Sequence, residues 1–327
     1  MLFPYRMPDG SDRAALSRDG NYIGGMLIVF VTLISFLMSA VALVLVRVGV
    51  IARADVSAED LGLGNTRFVL LQGVLYALSV GLPALFGLRF YQKPTESSPT
   101  LPMKARDTAS LLVVGLGGCM GVNFVSAYVA MILENLGIPQ AEGVQAMEAT
   151  PQSLLLNVVV LALLPAVLEE LMFRVCILQT LRRYGDRLAI LLSAVLFGVM
   201  HGGIAQSVFA CMVGLLFGWI TVTTGSPRCA ILLHFVNNAI SVVMQYAALR
   251  LPETAAMLFN AVVLYGLLLA GIVTLAVSIA RRAPFWKLPP RGELNPGFCV
   301  RQLWKTPLMP IATVLILLRV AQFIVLG

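Results

Sequence analysis

The decisive stretch of this chain covers residues 161–180 and reads LALLPAVLEELMFRVCILQT. It is apolar enough to cross a bilayer, yet it contains two adjacent carboxylates, Glu169 and Glu170, and one guanidinium, Arg174. A charged side chain at the centre of a membrane costs at least ~2.5 kcal/mol, so such residues usually face a cavity and serve a function. The stretch therefore predicts a membrane helix that carries a functional site.

The composition of the whole chain is typical of a membrane protein. Of its 327 residues, 59% are hydrophobic and 12% are charged, whereas soluble domains carry about 25% charged residues. Several apolar runs exceed the roughly 20 residues that span the hydrocarbon core. We predict an all-α polytopic transmembrane helical bundle with about eight spans. A further apolar segment at the C-terminus either spans the membrane or lies along its surface.

The apolar runs give the predicted spans and the predicted division of the chain. The spans cover residues 22–50, 68–90, 108–136, 153–181, 188–204, 207–223, 229–249 and 255–280. The division is an N-terminal tail (1–21), spans one to three (22–152), a core of spans four to seven (153–250) and a C-terminal part (251–327). The last apolar run, 308–327, is interrupted by Arg319.

The distribution of Lys and Arg predicts the orientation of the chain. With the N-terminus in the cytoplasm, 17 of these residues lie on the inner side of the membrane and 4 on the outer side. Cytoplasmic loops of membrane proteins carry such an excess of positive charge. The net charge of +7 therefore reflects membrane topology, and we expect no nucleic-acid partner.

Further polar residues lie in apolar segments at a similar depth. The only two histidines are His201 and His234, and Asn238 follows four residues after the second. At 1.5 Å per residue, Glu169, His201, Asn238 and His234 lie about 20, 21, 15 and 9 Å from the predicted inner ends of their spans. Three helices thus place polar side chains between the bilayer centre and the cytoplasmic face. We predict a water-filled pocket that opens inward.

The spacing of the charges in EELMFR predicts different roles for the two glutamates. Glu169 and Glu170 point about 100° apart on an α-helix. Glu170 and Arg174 are four residues apart and are suited to an ion pair. Glu169 has Phe173 at the corresponding position, which leaves its carboxylate to face a pocket as a general base. The alternative is that all three charges form a structural ion network.

The histidines and the asparagine suggest the remaining catalytic groups. A neutral His201 can share a water molecule with a carboxylate or carry a proton to a leaving amine. His234 and Asn238 lie on one helix face and can direct two donors at an oxyanion. Zinc bound by Glu169, His201 and His234 is the alternative. The five cysteines share no metal-ligand spacing and HExxH is absent, so we favour no metal and no other cofactor.

These residues resemble the motifs of the CAAX protease and bacteriocin-processing family of intramembrane endopeptidases. The family pattern is EExxxR, then FxxxH, then HxxxN or HxxxD. The matching residues, in the same order, are Glu169-Glu170-x-x-x-Arg174, Phe197-x-x-x-His201 and His234-x-x-x-Asn238. The resemblance covers residues 153–238. It implies a helical intramembrane fold and peptide-bond hydrolysis, with water activated by Glu169 and His201 and the oxyanion stabilised by His234 and Asn238. It leaves the need for a metal open.

The resemblance also implies a class of substrate. Eukaryotic relatives remove the last three residues of prenylated CAAX proteins at the cytoplasmic side, and bacterial relatives are linked to peptide maturation and bacteriocin self-immunity. We therefore expect an endopeptidase in a bacterial plasma membrane, whose partners are a peptide or lipidated protein substrate and membrane lipids. The alternatives are a non-proteolytic immunity or scaffold protein and a proton-coupled transporter with Glu169 and His201 as its relay.

Overall fold

The chain forms a bundle of helices with no β-strand in the parts that the structure describes. This computed structural model describes residues 5–57, 60–90, 104–138, 147–286 and 293–326. In these ranges, seven helices are long and apolar enough to cross a membrane, or eight if a bent pair near the C-terminus counts as one span. The prediction of an all-α polytopic membrane bundle is confirmed. Lys93, Lys287 and Arg291, which contributed to the predicted orientation, lie outside the described residues, and the orientation stays a prediction.

Besides two short 3-10 helices, Arg53–Ser57 and Pro284–Trp286, the described residues contain ten helices, which we number in chain order. They are α1 (Gly10–Arg47), α2 (Asn65–Phe90), α3 (Ala105–Asn135), α4 (Pro151–Leu181), α5 (Asp186–Val199), α6 (Ile204–Thr224), α7 (Arg228–Arg250), α8 (Glu253–Ala280), α9 (Pro296–Leu303) and α10 (Leu308–Leu326).

The first helix begins earlier than the predicted span. Its N-terminus is fixed by a capping box, in which Asp9 and Asp12 each accept a hydrogen bond from the backbone N–H of the other at 3.0 Å. Arg6 forms an ion pair with the carboxylate of Asp12. Such reciprocal caps satisfy the free N–H groups of a first helical turn. As a result, α1 extends from Gly10 into the segment predicted as an N-terminal tail.

The fifth predicted span, 188–204, is shorter in the structure. Helix α5 has 14 residues, or about 21 Å at 1.5 Å per residue, which is less than the ~30 Å thickness of the hydrocarbon core. It ends at Val199, with Met200 as its C-terminal cap, because Gly202 takes a left-handed conformation, with φ of +87°. Helix α5 is therefore not one of the seven helices long enough to span. The eighth span, if present, is formed by α9 and α10.

Small residues allow two helix pairs to approach closely. A Cβ atom on Gly117 of α3 would lie 2.6 Å from the Cα atom of Gly271 on α8. A Cβ atom on Gly214 of α6 would lie 3.1 Å from the Cα atom of Ala194 on α5. At both positions the absence of a larger side chain lets the two helices pack closely together.

The C-terminal apolar helix packs against the first helix of the bundle. The chain bends by 86° between α9 and α10. A Cβ atom on Gly24 of α1 would lie 2.6 Å from the carbonyl carbon of Leu308, at the start of α10. This close approach fixes α10 along α1.

Candidate active site

The helix with the acidic pair departs from regular α-helical geometry on both sides of the two glutamates. Within α4, Val158–Leu163 and Leu171–Leu178 are π-helical, and Leu164–Glu170 between them is α-helical. In a π-helix the hydrogen bonds join residues five apart, and such segments occur frequently at functional sites. The residues after Glu170 are therefore rotated relative to the 100° spacing assumed from the sequence.

The predicted polar pocket is present as a cavity of about 260 Å³. Four of the six predicted site residues line it: Glu169, His201, His234 and Asn238. The other polar lining residues are Tyr76, Gln206 and Asn237. Helices α2, α4, α6 and α7 and the segment after α5 contribute these side chains. The structure thus brings the predicted residues together from separate helices, and the side on which the cavity opens stays a prediction.

The two carboxylate oxygens of Glu169 have different surroundings. Oε1 accepts a hydrogen bond from the Tyr76 hydroxyl. Oε2 is buried, makes no hydrogen bond with the described residues and lies 3.7 Å from Nε2 of His234. One oxygen is therefore anchored, while the other is able to accept a proton from a molecule in the cavity.

The imidazole of His234 lies between the two glutamates. Its Nδ1 is 3.2 Å from Oε1 of Glu170, and its Nε2 faces Oε2 of Glu169. An ionised carboxylate accepts hydrogen bonds and cannot donate them. Nδ1 of His234 is therefore the donor to Glu170. The two glutamates thus differ in position, as the sequence indicated, but they are joined through one imidazole.

The predicted pairing of Glu170 with Arg174 is present behind the cavity. Nε of Arg174 lies 3.0 Å from Oε2 of Glu170, and both side chains are fully buried. The distance is that of an ion pair, although the N–H group is not aligned for a hydrogen bond. The guanidinium carbon also lies 5.0 Å from the centre of the Phe197 ring, which is a favourable cation–π distance. Neither charge lines the cavity.

His201 is held in one tautomer by the end of α5. Its Nδ1 lies 2.8 Å from the carbonyl oxygen of Phe197. A carbonyl oxygen only accepts, so Nδ1 carries the proton, and Nε2 of the neutral ring is an acceptor. The Phe197 ring also packs edge-on against His201 at 4.8 Å and His234 at 6.1 Å. These contacts explain the spacing of the FxxxH motif.

Asn238 is anchored to the π-helical part of α4. Its Nδ2 donates to the carbonyl oxygen of Leu161 at 3.4 Å, and its Oδ1 accepts from Nδ2 of Asn237 at 3.2 Å. Oδ1 of Asn237 is buried without a hydrogen-bond partner in the described residues. The sequence reasoning missed Asn237, although it precedes Asn238 directly, and also missed Tyr76, whose contact with Glu169 joins residues far apart in the chain.

The zinc alternative requires several metal ligands grouped around one point. Within the described ranges, no three or more His, Cys, Asp or Glu side chains are grouped so that they could hold a metal ion. Glu169, His201 and His234 provide donor types that zinc accepts, but they are not arranged as one set of ligands. The metal-free interpretation stays a prediction, which a chelator can test.

Residues 151–240 match the family model described as type II CAAX prenyl endopeptidase, Rce1-like. The matched segment contains all three motifs, so the family resemblance is confirmed for this part of the chain. No curated protein and no solved structure matches the chain. At the level of the family, the match supports a CAAX-type protease within an integral membrane protein.

Proposed function

From the family match over residues 151–240, we propose that this protein is an intramembrane endopeptidase. It hydrolyses a peptide bond of a membrane-associated or lipidated peptide near the cytoplasmic leaflet. The observation that carries the proposal is the cavity between the membrane helices, where Oε2 of Glu169 makes no hydrogen bond with any residue that the structure describes and shares the space with His201, His234 and Asn238. An ionisable group inside a membrane span usually marks a functional site.

The geometry supports a hydrolysis in which Glu169 acts as general base. Oε2 of Glu169 takes a proton from water, with Nε2 of His201 as a second acceptor, and the hydroxide adds to the substrate carbonyl carbon. The C–N bond then breaks as the same groups return a proton to the leaving amine. Asn238 can donate its amide to the oxyanion, and His234 can do so when Nε2 carries a proton.

Glu170 and Arg174 support this reaction without touching the substrate. Glu170 accepts from Nδ1 of His234 and thereby fixes the direction of Nε2. Arg174 balances the charge of Glu170 in a fully buried position. A carboxylate behind a histidine commonly fixes its tautomer and orientation in this way.

A second cavity supports a substrate with an apolar chain. It also measures about 260 Å³ and shares Tyr76, Leu161 and Pro165 with the polar cavity. Its other lining residues are mostly apolar and come from α1, α2 and α4. An apolar chain attached to the peptide would thus find a matching surface directly beside the reacting carboxylate.

Cleavage of a lipidated peptide by the purified protein tests the proposed function and the metal question together. We expect the protein in lipid nanodiscs to cleave farnesylated C-terminal peptides, and to keep its rate in the presence of a chelator, because Glu169 and the histidines activate water without a metal. The measurement is product mass and initial rate, beside the inactive control His201→Asn. If cleavage is lost with the chelator and returns with zinc, Glu169, His201 and His234 act as metal ligands.

If no farnesylated or unmodified peptide is cleaved, the alternative is a scaffold or immunity protein. In that case, cells that express His201→Asn should keep the biological function of the unmodified protein. Retained function in cells together with absent cleavage would overturn the protease proposal.

Replacing Tyr76 by phenylalanine is expected to lower kcat about 10-fold. The change removes the hydroxyl that donates to Oε1 of Glu169, and hydrogen bonds to charged groups contribute about 1.5–3 kcal/mol. Without this anchor, the carboxylate adopts other rotamers and its Oε2 no longer faces the cavity. The control is Tyr128→Phe, at a tyrosine that is 61% exposed on α3. Equal rates for the two variants would exclude an anchoring role for Tyr76.

A further inference from the structure

The charge that interrupts the C-terminal apolar helix contacts the backbone beside the candidate site. Nη1 of Arg319, on α10, donates to the carbonyl oxygen of Met200 at 2.6 Å. Its guanidinium carbon lies 5.9 Å from the centre of the Phe30 ring on α1. A charged side chain in a membrane span is costly and is usually retained for a function, so this contact requires an explanation.

The carbonyl that Arg319 binds belongs to the residue directly before His201. Met200 is the C-terminal cap of α5, where the last carbonyl groups of a helix have no partner within the helix. The chain then turns sharply at Gly202. His201 is fixed on one side by the bond from its ring to Phe197, and the peptide before it is fixed on the other side by Arg319. The two contacts together determine where Nε2 of His201 points.

Helix α10 is itself held firmly enough to act as a support. Leu308 at its start lies against Gly24 of α1. Nε1 of Trp304 donates to Oγ1 of Thr313 at 3.0 Å and thereby ties the bend before α10 to the helix. The C-terminal helix is therefore held along α1, and its Arg319 reaches the His201 turn.

We propose that Arg319 is a positioning residue for His201, and that the C-terminal helix is consequently part of the catalytic unit. The matched family segment ends at residue 240, so nothing in that match assigns a role to α10. This inference rests on the proposed protease function. Displacing the His201 turn by about 1 Å is expected to lower the rate up to 10²-fold without preventing substrate binding.

The test compares Arg319→Met with Arg319→Lys in the full-length protein. Methionine keeps the length of the apolar stem but cannot donate, whereas lysine retains a donor for the Met200 carbonyl. We expect Arg319→Met to lower kcat about 10- to 100-fold with little change in KM, and Arg319→Lys to recover part of the loss. The matched control is Arg250→Met, which removes an arginine that also donates to a backbone carbonyl, that of Ala149 at 3.4 Å, on the exposed end of α7.

A second measurement separates positioning from general helix packing. The chain has only two histidines, so selective ¹⁵N-histidine labelling gives two ring systems, which His201→Asn assigns. Positioning predicts that Arg319→Met shifts the ring signals of His201 and leaves those of His234 in place. Unchanged His201 signals, or equal shifts of both histidines, would overturn the proposal.

The spectra remain informative if other parts of the scheme fail. If the unmodified protein cleaves no peptide and His201→Asn keeps its function in cells, the proposed function fails, while the His201 signals still decide whether Arg319 positions that ring. If Arg319→Met does not fold, Arg319→Gln takes its place, because glutamine has a donor but a shorter reach. Its His201 signals should then differ from those of Arg319→Lys, and identical spectra would count against positioning.

Discussion

Glu169→Gln is expected to reduce kcat/KM for peptide cleavage by ~10³-fold or more, with little change in stability. Glutamine fills the same volume and its carbonyl oxygen can still accept from the Tyr76 hydroxyl, which now binds Oε1 of Glu169. It cannot accept a proton from water, and a general base contributes about 10²–10⁴ to the rate. The measurement is the initial rate with a lipidated peptide, together with the unfolding midpoint in detergent.

The control for this prediction is Glu253→Gln, at an exposed carboxylate in the first turn of α8. It removes the same charge outside the cavity and should leave the rate unchanged. If Glu169→Gln retained more than a tenth of the rate of the unmodified protein, Glu169 would not be the base. Glu170 could not take over as the general base, because it does not line the cavity and already binds His234.

The helical class was predictable from the sequence because hydropathy is a local property. Runs of apolar residues identified every long helix of the bundle. They did not identify the exact ends of the helices where contacts outside the run set those ends. The start of α1 depends on the cap between Asp9 and Asp12, which hydropathy ignores. The short length of α5 depends on the turn at Gly202, and the adjacent Gly202 and Gly203 could have indicated it. Because the residues after this turn are again mostly apolar, hydropathy did not indicate that α5 ends there.

The sequence indicated several residues that line the cavity and the local pairing of Glu170 with Arg174, but not the contacts between separate helices. Buried charges and histidines are rare in membrane helices and therefore easy to identify. Their pairing is not, since His234 contacts Glu169 and Glu170 from a helix more than 60 residues away along the chain. The contact of Tyr76 with Glu169 has the same long-range character.

Backbone partners were harder still to anticipate from the sequence. Arg319 was visible as a lone charge, but its partner is a carbonyl group, which every residue possesses and no side-chain pattern marks. The π-helical segments of α4 could not be predicted by an argument that assumes 3.6 residues per turn. They alter which residues after Glu170 share a face of the helix.

Arg174→Met is expected to lower the free energy of unfolding by about 3–5 kcal/mol, the usual cost of breaking a buried ion pair on one side. Glu170 and Arg174 are both fully buried, with Nε and Oε2 3.0 Å apart. Without the guanidinium, the charge of Glu170 is compensated in the described structure only through its contact with His234. The measurement is the unfolding midpoint in detergent, and activity should fall together with stability.

The double variant Glu170→Gln/Arg174→Met should recover most of the lost stability but not the activity. Replacing both members of a buried ion pair by neutral groups of similar volume is often neutral for stability, so the two substitutions should be strongly non-additive. His234 would still lose the carboxylate that accepts from Nδ1, and the direction of Nε2 would no longer be fixed. Additive losses of stability would show that the pair does not compensate charge. Full cleavage by the double variant would show that Glu170 does not orient His234. Recovered stability with low activity would separate this pair from Glu169, whose replacement removes activity alone.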